Sequence, residues 1–95
     1  MNIECTLLNL VAKKAGRLLA LADVELDFEG VQIIINSVRI EREANAVSVR
    51  MPIDRDGRAL VVPDEVKAGI ADIVLDAALA AGIVRERIKL PPLTT

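Results

Sequence analysis

Apolar and polar residues alternate along the first half of the chain. Ile3, Cys5 and Leu7 share one phase, with Glu4 and Thr6 on the other, which predicts a strand over about 3–11 and a turn at Lys13-Lys14-Ala15-Gly16. The even positions Leu18, Ala20, Ala22, Val24, Leu26 and Phe28 are apolar, and Asp23, Glu25 and Asp27 line the other side, so a second strand fills 17–28. Glu29-Gly30 makes a tight connection to Val31, Ile33 and Ile35. There the apolar phase slips at Asn36-Ser37 and resumes at Val38 and Ile40, a slip that a β-bulge near Ser37 would produce. A polar turn at 42–45 precedes a fourth strand with Val47, Val49 and Met51 inward and Ser48 and Arg50 outward, ended by Pro52.

Beyond Pro52 the period changes. Asp54-Arg55-Asp56-Gly57 is a turn signal, and Leu60-Val61-Val62 reads as a short extended piece. Val66, Ile70, Ile73, Val74 and Ala77 then recur at spacings of three and four, which predicts one amphipathic helix opened by Pro63-Asp64-Glu65 and closed at Gly82. The expected fold is α+β: a four- to five-stranded antiparallel meander followed by one amphipathic helix packed on its apolar face, the opposite face carrying the charges. Residues 1–82 form the expected single domain and 83–95 a C-terminal extension, in which 83–89 reads as either a final strand or a helical turn.

Composition narrows the chemistry. The 95 residues are 53% hydrophobic and 27% charged, with twelve basic and fourteen acidic side chains, one Cys, one aromatic and no His. A chain this short holds one modest core, and pairing with a second copy would add to its stability. Without His, Ser-His-Asp and Cys-His nucleophilic sites and most zinc sites are excluded. With Phe28 as the lone aromatic, the stacking platforms of common single-strand binders are excluded too. One Cys permits no internal disulfide, no apolar run is long enough to span a membrane, and the N-terminus lacks a signal-peptide pattern; the expectation is a soluble, cytoplasmic protein.

Four constellations remain. Asp23, Glu25 and Asp27 point the same way on strand two and would be the only candidate ligands of a metal-assisted hydrolase, although such a row is ordinarily a solvated face. Asp54-Arg55-Asp56-Gly57 has the opening of a calcium loop without its later ligands, so a plain turn is the simpler reading. Cys5 lies on the inward phase, where a thiol acts as a small hydrophobe with a raised pKa. Arg50, Arg55, Arg58 and Lys67 gather near the sheet-to-helix connection, where Arg suits bidentate phosphate binding; Asp54, Asp56, Asp64 and Glu65 interleave with them, and a mixed-charge surface is the competing reading. No catalytic pair, cofactor site, metal site or small-molecule substrate is expected.

Several stretches together resemble the SpoVG (stage V sporulation protein G) family: 16–27, 31–35, Ser37-Val38-Arg39-Ile40 and Val47-Ser48-Val49-Arg50-Met51-Pro52, followed by Asp56-Gly57, Pro63 and 67–75. The similarity covers roughly residues 2–80, and its most specific parts are the Val-Arg-Ile step and the Met-Pro that ends strand four. The resemblance implies a small bacterial cytoplasmic regulator, of the kind linked to sporulation and septation, that forms a homodimer and binds DNA or RNA without enzyme activity or cofactor. It implies nucleic-acid contacts at Arg55 and Arg58 in the loop after Met51-Pro52 and at Lys67 opening the helix, with Arg39 and Arg50 joining them or, for Arg39, bracing the sheet.

The chain departs from the family at three places. Asp54 and Asp56 dilute the loop's positive charge, Val61-Val62 replaces a more polar stretch, and the Ala-rich helix end with its tail has no counterpart. A protein-interaction module that keeps the fold without nucleic-acid binding is therefore the alternative, using Leu19, Leu21 and Ile34 on the polar sheet face or the tail from Ile83.

Overall fold

The computed structural model describes residues 3–44 and 46–84, without the Lys14 side chain. Four antiparallel strands, β1 (Ile3–Ala15), β2 (Leu18–Phe28), β3 (Val31–Glu43) and β4 (Ala46–Arg50), lie in the order β1-β2-β3-β4, and one helix, α1 (Asp64–Ala80), packs on the sheet. The protein is thus an α+β meander with a single covering helix. No helix among the described residues is long and apolar enough to cross a membrane.

The period-2 pattern holds because one face is buried. Ala20, Ala22, Val24 and Leu26 of β2 join Ile35, Val38 and Ile40 of β3 against Val66, Ile70, Val74, Leu75 and Ala78 of α1. The helix lies chiefly over β1, with lesser contact to β2 and β4. At Glu29-Gly30 both residues have positive φ (54° and 83°), the backbone of a type I′ hairpin turn whose twist matches its strands.

The expected bulge is present. Ala22 faces Val38 and Val24 faces Ile35, so β3 spends one more residue than β2 between these pairs. Ser37 takes φ +64° there, and its N–H donates to Asp23 Oδ1 at 3.0 Å. That extra residue returns Val38 and Ile40 to the core side after Ile35.

Other expectations are corrected. β1 runs through the basic stretch to Ala15, and the turn falls at Gly16-Arg17. A register shift between Leu7 and Asn9 leaves Leu8 as an extra, half-exposed residue and brings Leu10 rather than Asn9 onto the core. A shift between Leu18 and Ala20 sets Leu18 opposite Glu41 on the charged face and packs Leu19 against the core, the reverse of simple alternation. Leu60-Val61-Val62 forms no strand. Residues 52–60 instead close a small hairpin through an Ile53–Ala59 bridge and a Leu60 N–H to Pro52 carbonyl bond of 2.9 Å.

The helix ends as expected at Gly82. Its φ of +74° permits the paired bonds from Gly82 N–H to the Leu79 carbonyl and from Ile83 N–H to the Ala78 carbonyl, which satisfy carbonyls of the last turn. Packing then continues past Gly82, for Val84 is buried in the core and Ile83 packs against it. The rest of the expected extension, 85–95, lies outside the described residues, as does Asn45 of the expected 42–45 turn.

Candidate nucleic-acid interface

The five basic residues singled out in the sequence fall in three places. Arg39 and Arg50 stand directly opposite each other on β3 and β4, on the sheet face away from the helix. Arg55 and Arg58 share the small hairpin that follows β4, and Lys67 lies on the exposed side of the first turn of α1.

Arg39 and Arg50 are committed to carboxylates. Glu41, two residues along β3 and therefore on the same face, places Oε2 3.2 Å from Arg39 Nε and Oε1 3.2 Å from Arg50 Nε. Arg50 also donates from Nη2 to Glu43 Oε1 at 2.8 Å. Arg39 Nε is buried and its contact with Glu41 misses hydrogen-bond geometry, so the pair is held by charge. Two guanidinium groups side by side would repel; one shared carboxylate relieves this and ties β3 to β4. These two arginines brace the sheet.

The hairpin is organised differently. Asp54 Oδ1 accepts the N–H groups of Asp56 and Arg58, each at 2.9 Å, and the Asp54 N–H donates to the Arg58 carbonyl at 2.9 Å. Gly57, at φ +79°, completes the reversal. Asp54 is thus a turn residue, in keeping with the plain-turn reading of this segment. Arg55 and Arg58 are exposed, and the ion pairs found among the described residues involve neither them nor Lys67.

A second basic group escaped the sequence reading. Lys13 and Arg42 line a groove between the β1–β2 turn and the end of α1, and the Arg42 N–H bonds the Arg17 carbonyl at 2.8 Å. The Lys13-Lys14 pair was the available signal, but only the hairpin fold brings Arg42 beside it.

The remaining chemistry is quiet. Burial pushes the Cys5 thiol above its ordinary pKa, which keeps it in the unreactive form. Among the described residues no three His, Cys, Asp or Glu side chains gather closely enough to hold a metal ion, so Asp23, Glu25 and Asp27 form a row rather than a cage. Of the expected apolar patch on the charged face, Leu19 turns to the core and Leu21 is half-buried, leaving Ile34 exposed.

Comparison with protein-family models, with curated proteins and with solved structures returned no match.

Proposed function

We propose that this protein is a small, non-enzymatic regulator, similar to the SpoVG family, that works in the bacterial cytoplasm as a homodimer and binds DNA or RNA through phosphate contacts from Arg55, Arg58 and Lys67. One observation carries this reading. Asp54 spends its carboxylate on the hairpin's own backbone while Arg55 and Arg58 extend from the same hairpin without an ion-pair partner among the described residues. Guanidinium groups on long stems reach beyond the shorter aspartates and present forked donors suited to phosphate. Arg39 and Arg50 shape the platform from which the hairpin departs rather than contacting nucleic acid.

The second reading is a protein-interaction module, favoured by the acids interleaved with the hairpin cations and by the exposed apolar residues Ile34, Ile53 and Val61.

Fluorescence-anisotropy titrations against mixed-sequence duplex DNA, single-stranded DNA and RNA, at low and near-physiological salt, decide between them. Saturable binding is expected, with log affinity falling against log salt at about −0.9 per phosphate engaged on duplex. Replacing Arg55 and Arg58 together by Ala lowers affinity on every sequence and flattens the salt slope, while Arg39→Ala leaves the slope unchanged. No binding at low salt, or a double variant that binds like the parent, overturns the proposal.

A further inference from the structure

Acids accompany the cations already described. Glu41 and Glu43 engage Arg39 and Arg50, Asp54 and Asp56 share the hairpin of Arg55 and Arg58, and Asp64 and Glu65 precede Lys67 in α1. Lys13 and Arg42 differ. They line a groove of about 550 Å³ with no acid among its described lining residues, and the ion pairs found among the described residues involve neither of them.

Strand alternation produces this separation. Glu41 and Glu43 flank Arg42 in sequence but lie on the face away from the helix, where Arg39 and Arg50 hold them. Arg42 pairs with Val47, whose side chain packs against the core, so Arg42 stands on the helix face. Lys13 reaches the same groove because β1 continues through the basic stretch to Ala15. Leu18, Leu19 and Ile83, all half-buried, supply an apolar wall beside the two cations.

The internal claimant on these cations is the negative end of α1, whose last turn carries no basic residue of its own. That end is already capped. The N–H groups of Ala81, Gly82 and Ile83 occupy the carbonyls of Ala77, Leu79 and Ala78, so neither side chain is needed to close the helix.

We infer that this groove binds a small anionic amphiphile, a carboxylate or phosphate group carried on an apolar chain, with Arg42 and Lys13 holding the head group and Leu18, Leu19 and Ile83 the chain. The sign of the ligand follows from the cations and the missing acids, and its apolar body from the wall. The Arg42 guanidinium offers a planar fork that matches either head group, and the Lys13 ammonium adds a second donor. The volume falls within the range of roughly 300–1,000 Å³ usual for small-molecule sites, which combine an apolar lining with a few convergent polar groups. This site does not rest on the proposed nucleic-acid contacts. Lys67 lies about 20 Å along α1 from Ala81, and the 52–60 hairpin borders Ile33 to Asn36, about 20 Å along β3 from Arg42.

Titration of the isotope-labelled full chain with octanoate at neutral pH, followed through its amide NMR spectrum, tests the site. The amides of Gly16, Gly82 and Ile83 shift and saturate with a Kd on the order of 1 mM, the affinity suited to so small a ligand. Octyl phosphate does the same, and the tighter of the two identifies the preferred head group. Octanol and inorganic phosphate, each offering half of the ligand, bind about tenfold more weakly or less. Arg42→Gln and Lys13→Gln each weaken octanoate about fivefold, and Arg42→Lys, which keeps the charge but loses the fork, falls between Arg42→Gln and the parent. The same spectra show whether each variant is folded. Absence of a saturable shift at these amides overturns the inference. So does octanol binding as tightly as octanoate, which makes the groove an apolar surface only, or inorganic phosphate binding as tightly as octyl phosphate, which makes it a simple anion site. Folded Arg42→Gln and Lys13→Gln variants that both bind octanoate like the parent overturn it too. Saturable octanoate binding by a protein that binds no DNA or RNA sustains the groove and overturns the regulator alone.

Discussion

Asp23 and Ser37 face each other across the β2–β3 pairing, and the bond from Ser37 N–H to Asp23 Oδ1, 3.0 Å long, holds the residue that shifts β3 by one position. Without that shift, Val38 and Ile40, both fully buried, would fall on the charged face. The register of half a strand hangs on this point. Asp23→Ala should cost about 1 kcal/mol through loss of the acceptor. Ser37→Val should cost about 1–2 kcal/mol, because a β-branched side chain resists the +64° φ, whereas Ser37→Gly should be tolerated. Urea denaturation of the three variants measures the order.

Glu41 serves two arginines and Glu43 one. The Glu41 side chain is also the more buried, at 17% exposure against 36% for Glu43. Glu41→Ala leaves two facing guanidinium groups without their shared partner and should lower stability by about 1 kcal/mol, with Glu43→Ala costing less than half as much. High salt should narrow the gap between Glu41→Ala and the parent, because it screens the repulsion between the two cations. Thermal melts at two ionic strengths provide the check.

The helix is held by its buried stripe and its glycine stop. Ile70 is fully buried among core side chains, and Ile70→Ala should cost about 2–5 kcal/mol. Gly82→Ala should cost about 1 kcal/mol for a different reason: no atom lies within 4 Å of an added Cβ, so the whole penalty is that of a left-handed backbone. Chemical denaturation should therefore rank Ile70→Ala well below Gly82→Ala.

Cys5 has a pKa raised by burial, so its thiol stays neutral in the folded chain at pH values where it begins to ionise in the unfolded one. The stability tied to it is complete below the unfolded-state pKa and is lost as pH rises through the higher folded value. Alkylation by iodoacetamide at mildly alkaline pH should accordingly be slower than that of a free thiol, and urea at denaturing concentration should restore the ordinary rate. Equal rates in both states would show that the site is open.

Local patterning determined much of this protein. A two-residue period with one buried face specified four strands, a three-to-four period specified the helix, and the phase slip at Asn36-Ser37 announced a bulge that the fold contains. Those features were legible because each depends on residues adjacent in the chain. The shifts at Leu8 and Leu19 were not, because the adjacent apolar residues Leu7-Leu8 and Leu18-Leu19-Ala20 left either phase acceptable until the neighbouring strand chose one. The basic residues divided in the same way. Their positions on strands, loop and helix were readable, but that Glu41 engages Arg39 and Arg50 depends on the β3–β4 register. The turn role of Asp54 depends on the closing of the 52–60 hairpin, and the open edge of β3 beside it exists because β4 is only five residues long. Period and composition act within a segment and can be read there; charge partners and free edges are properties of pairs of segments, and only their tertiary arrangement decides them.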